Sequence, residues 1–158
     1  MKIAVAGAGY VGLSNAVILS QKYDVCIVDP LKEKVDQINN RVSPIKDSEI
    51  THYFDTCHLN LEATTDEKRG YTNADYVIIA APTNFSEDLK GFDLTIINDI
   101  IHKVLLFSNE ATIIVRSTVP IGFTKDISAS LSYENILFCP EFRKRSIGSF
   151  HSWLILHC

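Results

Sequence analysis

The chain has 158 residues, 46% of them hydrophobic and 22% charged, with a formal net charge of −4. That length suits one domain with a sizeable core, and the composition is globular. An acidic balance argues against a nucleic-acid or anionic-membrane surface. No apolar run reaches the length of a membrane span. The first residues already read as a strand, so no signal peptide is expected and a cytoplasmic location is.

Ile3 to Ala6 is a short apolar run of the kind a strand buried on both faces requires. Gly7, Gly9 and Gly12 follow at the G-x-G-x-x-G spacing. The first glycine permits a tight turn, the second lets a pyrophosphate approach the backbone, and the third lets helix and strand pack closely. A helix from Tyr10 to Gln21, with Val11, Leu13, Val17, Ile18 and Leu19 as its apolar face, would aim free N–H groups at that pyrophosphate. Val25 to Val28 is a second apolar strand closed by Asp29, near the expected interval of about 20 residues for a carboxylate that binds an adenosine ribose. An acid there favours NAD, since the extra phosphate of NADP would meet like charge. The plain alternative is a βαβ turn with a solvated aspartate.

After Pro30, which can open a helix, Lys32 to Asn40 carries Val35 and Ile38 inward. Lys34 on this helix reads as an ordinary solvated lysine. A helix over Asp47–Asp55, with Ile50, Tyr53 and Phe54 apolar, leads to a strand over Leu59–Thr64 and a polar helical turn over Asp66–Tyr71. Tyr76 to Ala81 is the strongest buried-strand signal and ends at Pro82 and Thr83, where a ligand of an open parallel sheet would pass. Thr83 is read equally well as a turn residue. Asn84 to Asp93 reads as a polar loop, and Leu94 to Leu106 as a helix with Ile97, Ile100, Ile101 and Val104 inward. A strand at Ala111–Val115, a helix at Gly122–Leu131 and a strand at Asn135–Cys139 complete the order. This alternation predicts an α/β fold: a doubly wound parallel sheet of six core strands with helices on both faces, the Rossmann dinucleotide-binding arrangement.

Cys26, Cys57, Cys139 and Cys158 form no C-x-x-C pair. Cys26 and Cys139 read as small buried hydrophobes, and Cys57 beside His58 lacks further ligands at zinc spacing, so no metal is expected.

Four blocks give the sequence a family resemblance: Gly7 to Ala16, Ala74 to Asn84, Arg116 to Thr124 and Phe138 to Phe142. They follow one another as in bacterial UDP-glucose 6-dehydrogenases, and Arg41 to Ile45 matches the connection after the second strand. The resemblance runs from Met1 to Phe142. It implies oxidation of a sugar C6 alcohol to a carboxylate in two steps, reducing two NAD molecules. It also implies that Gly7, Gly9, Val11 and Gly12 face the pyrophosphate, with Tyr10 among the cofactor contacts. Asp29 and Lys34 would hold the adenosine ribose, and Thr83 would touch the cofactor. Thr118 would position a catalytic water beside the nicotinamide, and Glu141 would orient water or assist proton movement at the rim shared with UDP-glucose.

Beyond Phe142 the resemblance stops. Arg145 stands where the family has a second glutamate, and residues 143–158 diverge, as an out-of-frame reading would make them. The family's central helix and sugar-nucleotide domain, with its nucleophilic cysteine, find no counterpart here, and Cys158 lacks that cysteine's context. The expectation is an NAD-binding domain over residues 1–142 with a divergent tail, truncated and without turnover alone, monomeric or in a non-native association. Dehydrogenases of UDP-N-acetylmannosamine or GDP-mannose, and a non-catalytic NAD-binding or interaction module, remain alternatives.

Overall fold

The computed structural model describes residues 1–86 and 91–141. Phe142, Arg145, Cys158 and the rest of the divergent tail lie outside the described residues. The chain runs β1 (Lys2–Ala6), α1 (Tyr10–Ser20), β2 (Asp24–Val28), α2 (Lys32–Asn39), α3 (Ser48–Thr56), β3 (Leu61–Thr64), α4 (Glu67–Tyr71) and β4 (Tyr76–Ile79). It continues through β5 (Asn84–Ser86), β6 (Gly91–Asp93), α5 (Thr95–Phe107), β7 (Thr112–Val115), α6 (Phe123–Leu131) and β8 (Ile136–Phe138). All strands but β5 and β6 form one parallel sheet in the order β3-β2-β1-β4-β7-β8. Strand order reverses between β1 and β4, which opens a crevice beyond the carboxyl ends of those two strands.

Side chains alternate between the two faces of a strand, and the core divides accordingly. Ile3 and Val5 of β1 join Leu13, Ala16 and Val17 of α1, Val35 and Ile38 of α2, and Ile50 and Phe54 of α3. Ala4 and Ala6 face the other way, toward Tyr71 of α4 and Ile97, Ile101 and Val104 of α5. The expected doubly wound architecture is present. Burial pushes the Tyr71 hydroxyl and the Cys26 thiol up, the latter to about 12, with Glu67 and Glu62 adding to the respective shifts.

Several sequence expectations need correction. Ile18 is exposed, because the buried stripe of α1 runs through Gly12, Leu13, Ala16, Val17 and Ser20. Gly12, Ala16 and Ser20 within that stripe let the helix lie close to the sheet, which pure hydrophobicity does not reveal. Pro30 sits just outside α2, whose N-cap is Leu31. The segment read as a loop over Asn84–Asp93 contains a two-stranded antiparallel ribbon, with Phe85 opposite Phe92. Cys139 is half-buried, its sulfur accepting a contact from Arg116 Nη1 at 3.6 Å.

Coverage of the sheet is uneven. On the face that carries α1, one row of register partners crosses β4, β7 and β8 as Ile78, Ile114 and Leu137. Exposure rises along it from 6% at Ile78 to 54% at Leu137. On the opposite face α6 contributes no fully buried residue.

Candidate functional site

The turn after β1 is built around the absence of side chains. Gly7 has φ of +105°, a left-handed conformation, and a Cβ there would stand 2.7 Å from the Ala80 carbonyl oxygen. A Cβ on Gly12 would overlap the Gly7 carbonyl oxygen. Gly9 differs from both. Its φ of −84° is open to any residue, and a Cβ placed on it would meet nothing within 4 Å. Neither strain nor internal packing asks for a glycine at position 9, and the space beside it opens outward.

That space lies at the start of α1. The first N–H groups of a helix lack partners within it, and no side chain caps α1 at Gly9. Positive partial charge therefore faces a cradle without side chains, an arrangement that suits a diphosphate.

Asp29 closes the turn from the side. It is 5% exposed at the end of β2, and its Oδ2 accepts the Ala8 N–H at 2.7 Å while Oδ1 accepts the Leu31 N–H at 3.0 Å. A carboxylate offers about four acceptor directions, so capacity remains for a hydroxyl donor. Lys34 Nζ lies 4.0 Å from Asp29 Oδ2 and is only partly exposed. The plain reading of Lys34 as a solvated lysine therefore gives way to an ammonium held beside the turn. The Gly7 N–H also donates to the Val28 carbonyl at 2.9 Å, tying the turn to β2. Gly7, Gly9, Gly12, Asp29 and Lys34 thus form one cluster, with Tyr10 and Val11 opening the helix beside it.

The remaining predicted residues lie along the same carboxyl edge, across the crevice. Thr83 follows β4 on the segment whose Ala80 touches the glycine turn. Thr118 follows β7 and is exposed, flanked by buried Ser117 and Val119. Ser117 donates from Oγ to the Ala81 carbonyl at 2.7 Å, fastening the β7 loop to the β4 loop. Glu141 lies three residues beyond β8 and is ion-paired with Arg116, whose Nη2 is 2.8 Å from Glu141 Oε2. Arg116 and Ser117 escaped the sequence reading although both belong to the Arg116–Thr124 block. A strand-end arginine has no partner legible in sequence until the register of β7 and β8 is known.

A cavity of about 640 Å³ lies elsewhere: Met1, Asp75, Tyr76, Glu110 and Thr112 place it at the amino ends of the strands. The acids Asp75 and Glu110 there suit a diphosphate poorly. Among the described residues no group of three His, Cys, Asp or Glu side chains could hold a metal ion, and no helix is long and apolar enough to cross a membrane.

Comparison with known proteins points the same way. The family model for the UDP-glucose/GDP-mannose dehydrogenase family, NAD binding domain, matches residues 1–148. A UDP-glucose 6-dehydrogenase of Streptococcus pneumoniae is 44% identical over 146 residues, covering 92% of this chain and 37% of that protein. One from Campylobacter jejuni is 38% identical over 154 residues, covering 96% and 39%. Among solved structures, a UDP-D-ManNAc dehydrogenase from Pyrococcus horikoshii superposes with a TM-score of 0.81 at 27% identity, over 91% of this chain and 37% of that one. The chain thus spans little more than a third of the length of the relatives it matches.

Proposed function

The chain belongs to the UDP-glucose/GDP-mannose dehydrogenase family through its NAD binding domain, and from that premise we propose that residues 1–142 bind NAD on behalf of a UDP-glucose 6-dehydrogenase. Bound NAD would supply a hydride acceptor for the sugar alcohol, and the protein's part is to place and screen it. Val11, Gly12 and the neighbouring amides at the start of α1, with Tyr10, receive the diphosphate over Gly9. Asp29 accepts from the adenosine ribose while Lys34 balances its charge. Thr83 lines the path across the crevice. Thr118 holds a water near the reacting end, and Glu141 orients it or takes a proton.

One observation carries this reading: the Asp29 carboxylate is fastened to Ala8 within the glycine turn, beside a position where a side chain would block only an incoming ligand. The 44% identity to a UDP-glucose enzyme favours UDP-glucose over the other sugar nucleotides. We place the protein in the cytoplasm, where nucleotide sugars and NAD meet, and expect a monomer or a non-native association on sedimentation. As a 158-residue polypeptide it is expected to bind cofactor without oxidising UDP-glucose.

Titration with NADH, followed by thermal unfolding, tests the proposal. Ligand at 100 times its dissociation constant adds about 2.7 kcal/mol of stability, so a clear upward shift of the melting temperature is expected. No shift at millimolar NADH or NAD would leave a non-catalytic interaction module as the better description. Absorbance at the reduced-cofactor band, with NAD and UDP-glucose added, should stay flat.

A further inference from the structure

We propose that Arg116 and Glu141 form a charge-balanced pair that sets how the site discriminates oxidised from reduced nicotinamide. The inference rests on the NAD reading above. Asp29 ends β2 on one side of the switch point, and a dinucleotide lies across the crevice. Its second mononucleotide therefore runs toward the ends of β4, β7 and β8, where Arg116 and Glu141 stand.

The two side chains are 2.8 Å apart and are 18% and 19% exposed, so their charges are only partly screened by water. The backbone fixes Arg116 and the strand end that leads to Glu141. The Arg116 N–H donates to the Ile79 carbonyl at 2.9 Å, and the Cys139 N–H donates to the Val115 carbonyl at 3.0 Å. Arg116 Nη1 points at Cys139 Sγ, while its buried Nε has no hydrogen-bond partner among the described residues. The guanidinium thus reaches Glu141 at the expense of a bond it could otherwise make, which a pairing that served folding alone would not require.

The nicotinamide ring is positively charged when oxidised and neutral when reduced. A lone carboxylate on this edge would favour the oxidised form, and a lone guanidinium would oppose it. Paired, they nearly cancel, so neither redox state is strongly retained. Arg116 therefore acts on the cofactor in two ways, by its own charge and by offsetting that of Glu141.

The test uses the whole 158-residue chain and calorimetric titration with NAD and with NADH at low ionic strength. The measured quantity is the ratio of the two dissociation constants, NAD over NADH. Arg116→Gln should lower it about three- to tenfold and Glu141→Gln should raise it by a similar factor, as expected for one unit charge at partly screened range. Arg116→Lys keeps the charge and should leave the ratio within about twofold, as should the double neutral variant. Shifts of the same sign, or none while both cofactors bind, overturn the pair but leave the NAD reading standing. If the unsubstituted chain binds neither cofactor, both fall together. Should Arg116→Gln fail to fold by circular dichroism, Glu141→Gln decides alone, and a ratio that is unchanged or lowered overturns the proposal.

Discussion

On the β3-β2-β1 side of the switch point, the carboxyl edge ends in groups that are already engaged. Asp29 is buried and bonded to two backbone amides, and Gly7 is tied to Val28. On the β7–β8 side, Thr118 stands exposed, Ile121 is fully exposed at 106%, and Leu137 and Phe138 of the edge strand face outward. One side is finished by residues of this chain. The other presents apolar surface with no cover among the described residues. Within one sheet, cofactor-binding geometry is thus completed locally, while the surroundings of the proposed chemistry are not.

The sharpest way to break this contrast is at Gly12. Gly12→Ala forces a carbon into the Gly7 carbonyl, and the backbone has to move, so a loss of at least about 3 kcal/mol is expected in urea denaturation. Gly9→Ala is its control. With nothing within 4 Å of the new carbon, stability should change by less than about 0.5 kcal/mol, while NADH affinity falls about tenfold or more because the ligand meets the methyl group. Equal effects on folding would mean that the space beside Gly9 is not a ligand cradle.

Asp29→Ala comes next. It leaves the Ala8 and Leu31 amides without their acceptor, so chemical denaturation should show a loss of about 2–3 kcal/mol, together with loss of saturable NADH binding.

Alkaline pH probes the finished side more gently. The Cys26 thiol is raised from an ordinary value of 9.0 to about 12, and Tyr71 is raised from 10.0. Both groups hold their protons more tightly when folded. Their contribution is therefore complete below pH 9.0 and declines as pH climbs past 9.0 and then 10.0, where the unfolded chain releases protons first. Urea midpoints measured from pH 8 to pH 10.5 should fall monotonically over the upper part of that range.

The smallest effect belongs to the open side. Ile121→Ser removes a side chain that touches little, and stability should stay within about 0.5 kcal/mol. A larger loss would show that the β7–α6 loop is packed after all.

The succession along the chain of the six strands of the parallel sheet was legible because most are apolar runs bounded by turn residues and β3 alternates apolar with polar, and α5 announced its buried Ile97, Ile100, Ile101 and Val104 by helical spacing. The β5–β6 ribbon was hidden, since three-residue strands of mixed polarity carry no period. The glycine turn and Asp29 were visible as a pattern, because backbone geometry dictates residue type at Gly7 and Gly12, and Gly9 and Asp29 stand at fixed intervals from them. Lys34, Ser117 and Arg116 were not placed by pattern. Their partners depend on strand register and on how neighbouring loops meet, which sequence spacing does not encode.

The bond between Asp29 and Ala8 also has a kinetic meaning. A turn already braced by a buried carboxylate does not have to become ordered when a ligand arrives, so that entropy cost falls within folding rather than association. Arrival should then be governed by diffusion and orientation, and substitutions around the rim should alter how long a dinucleotide stays far more than how fast it enters.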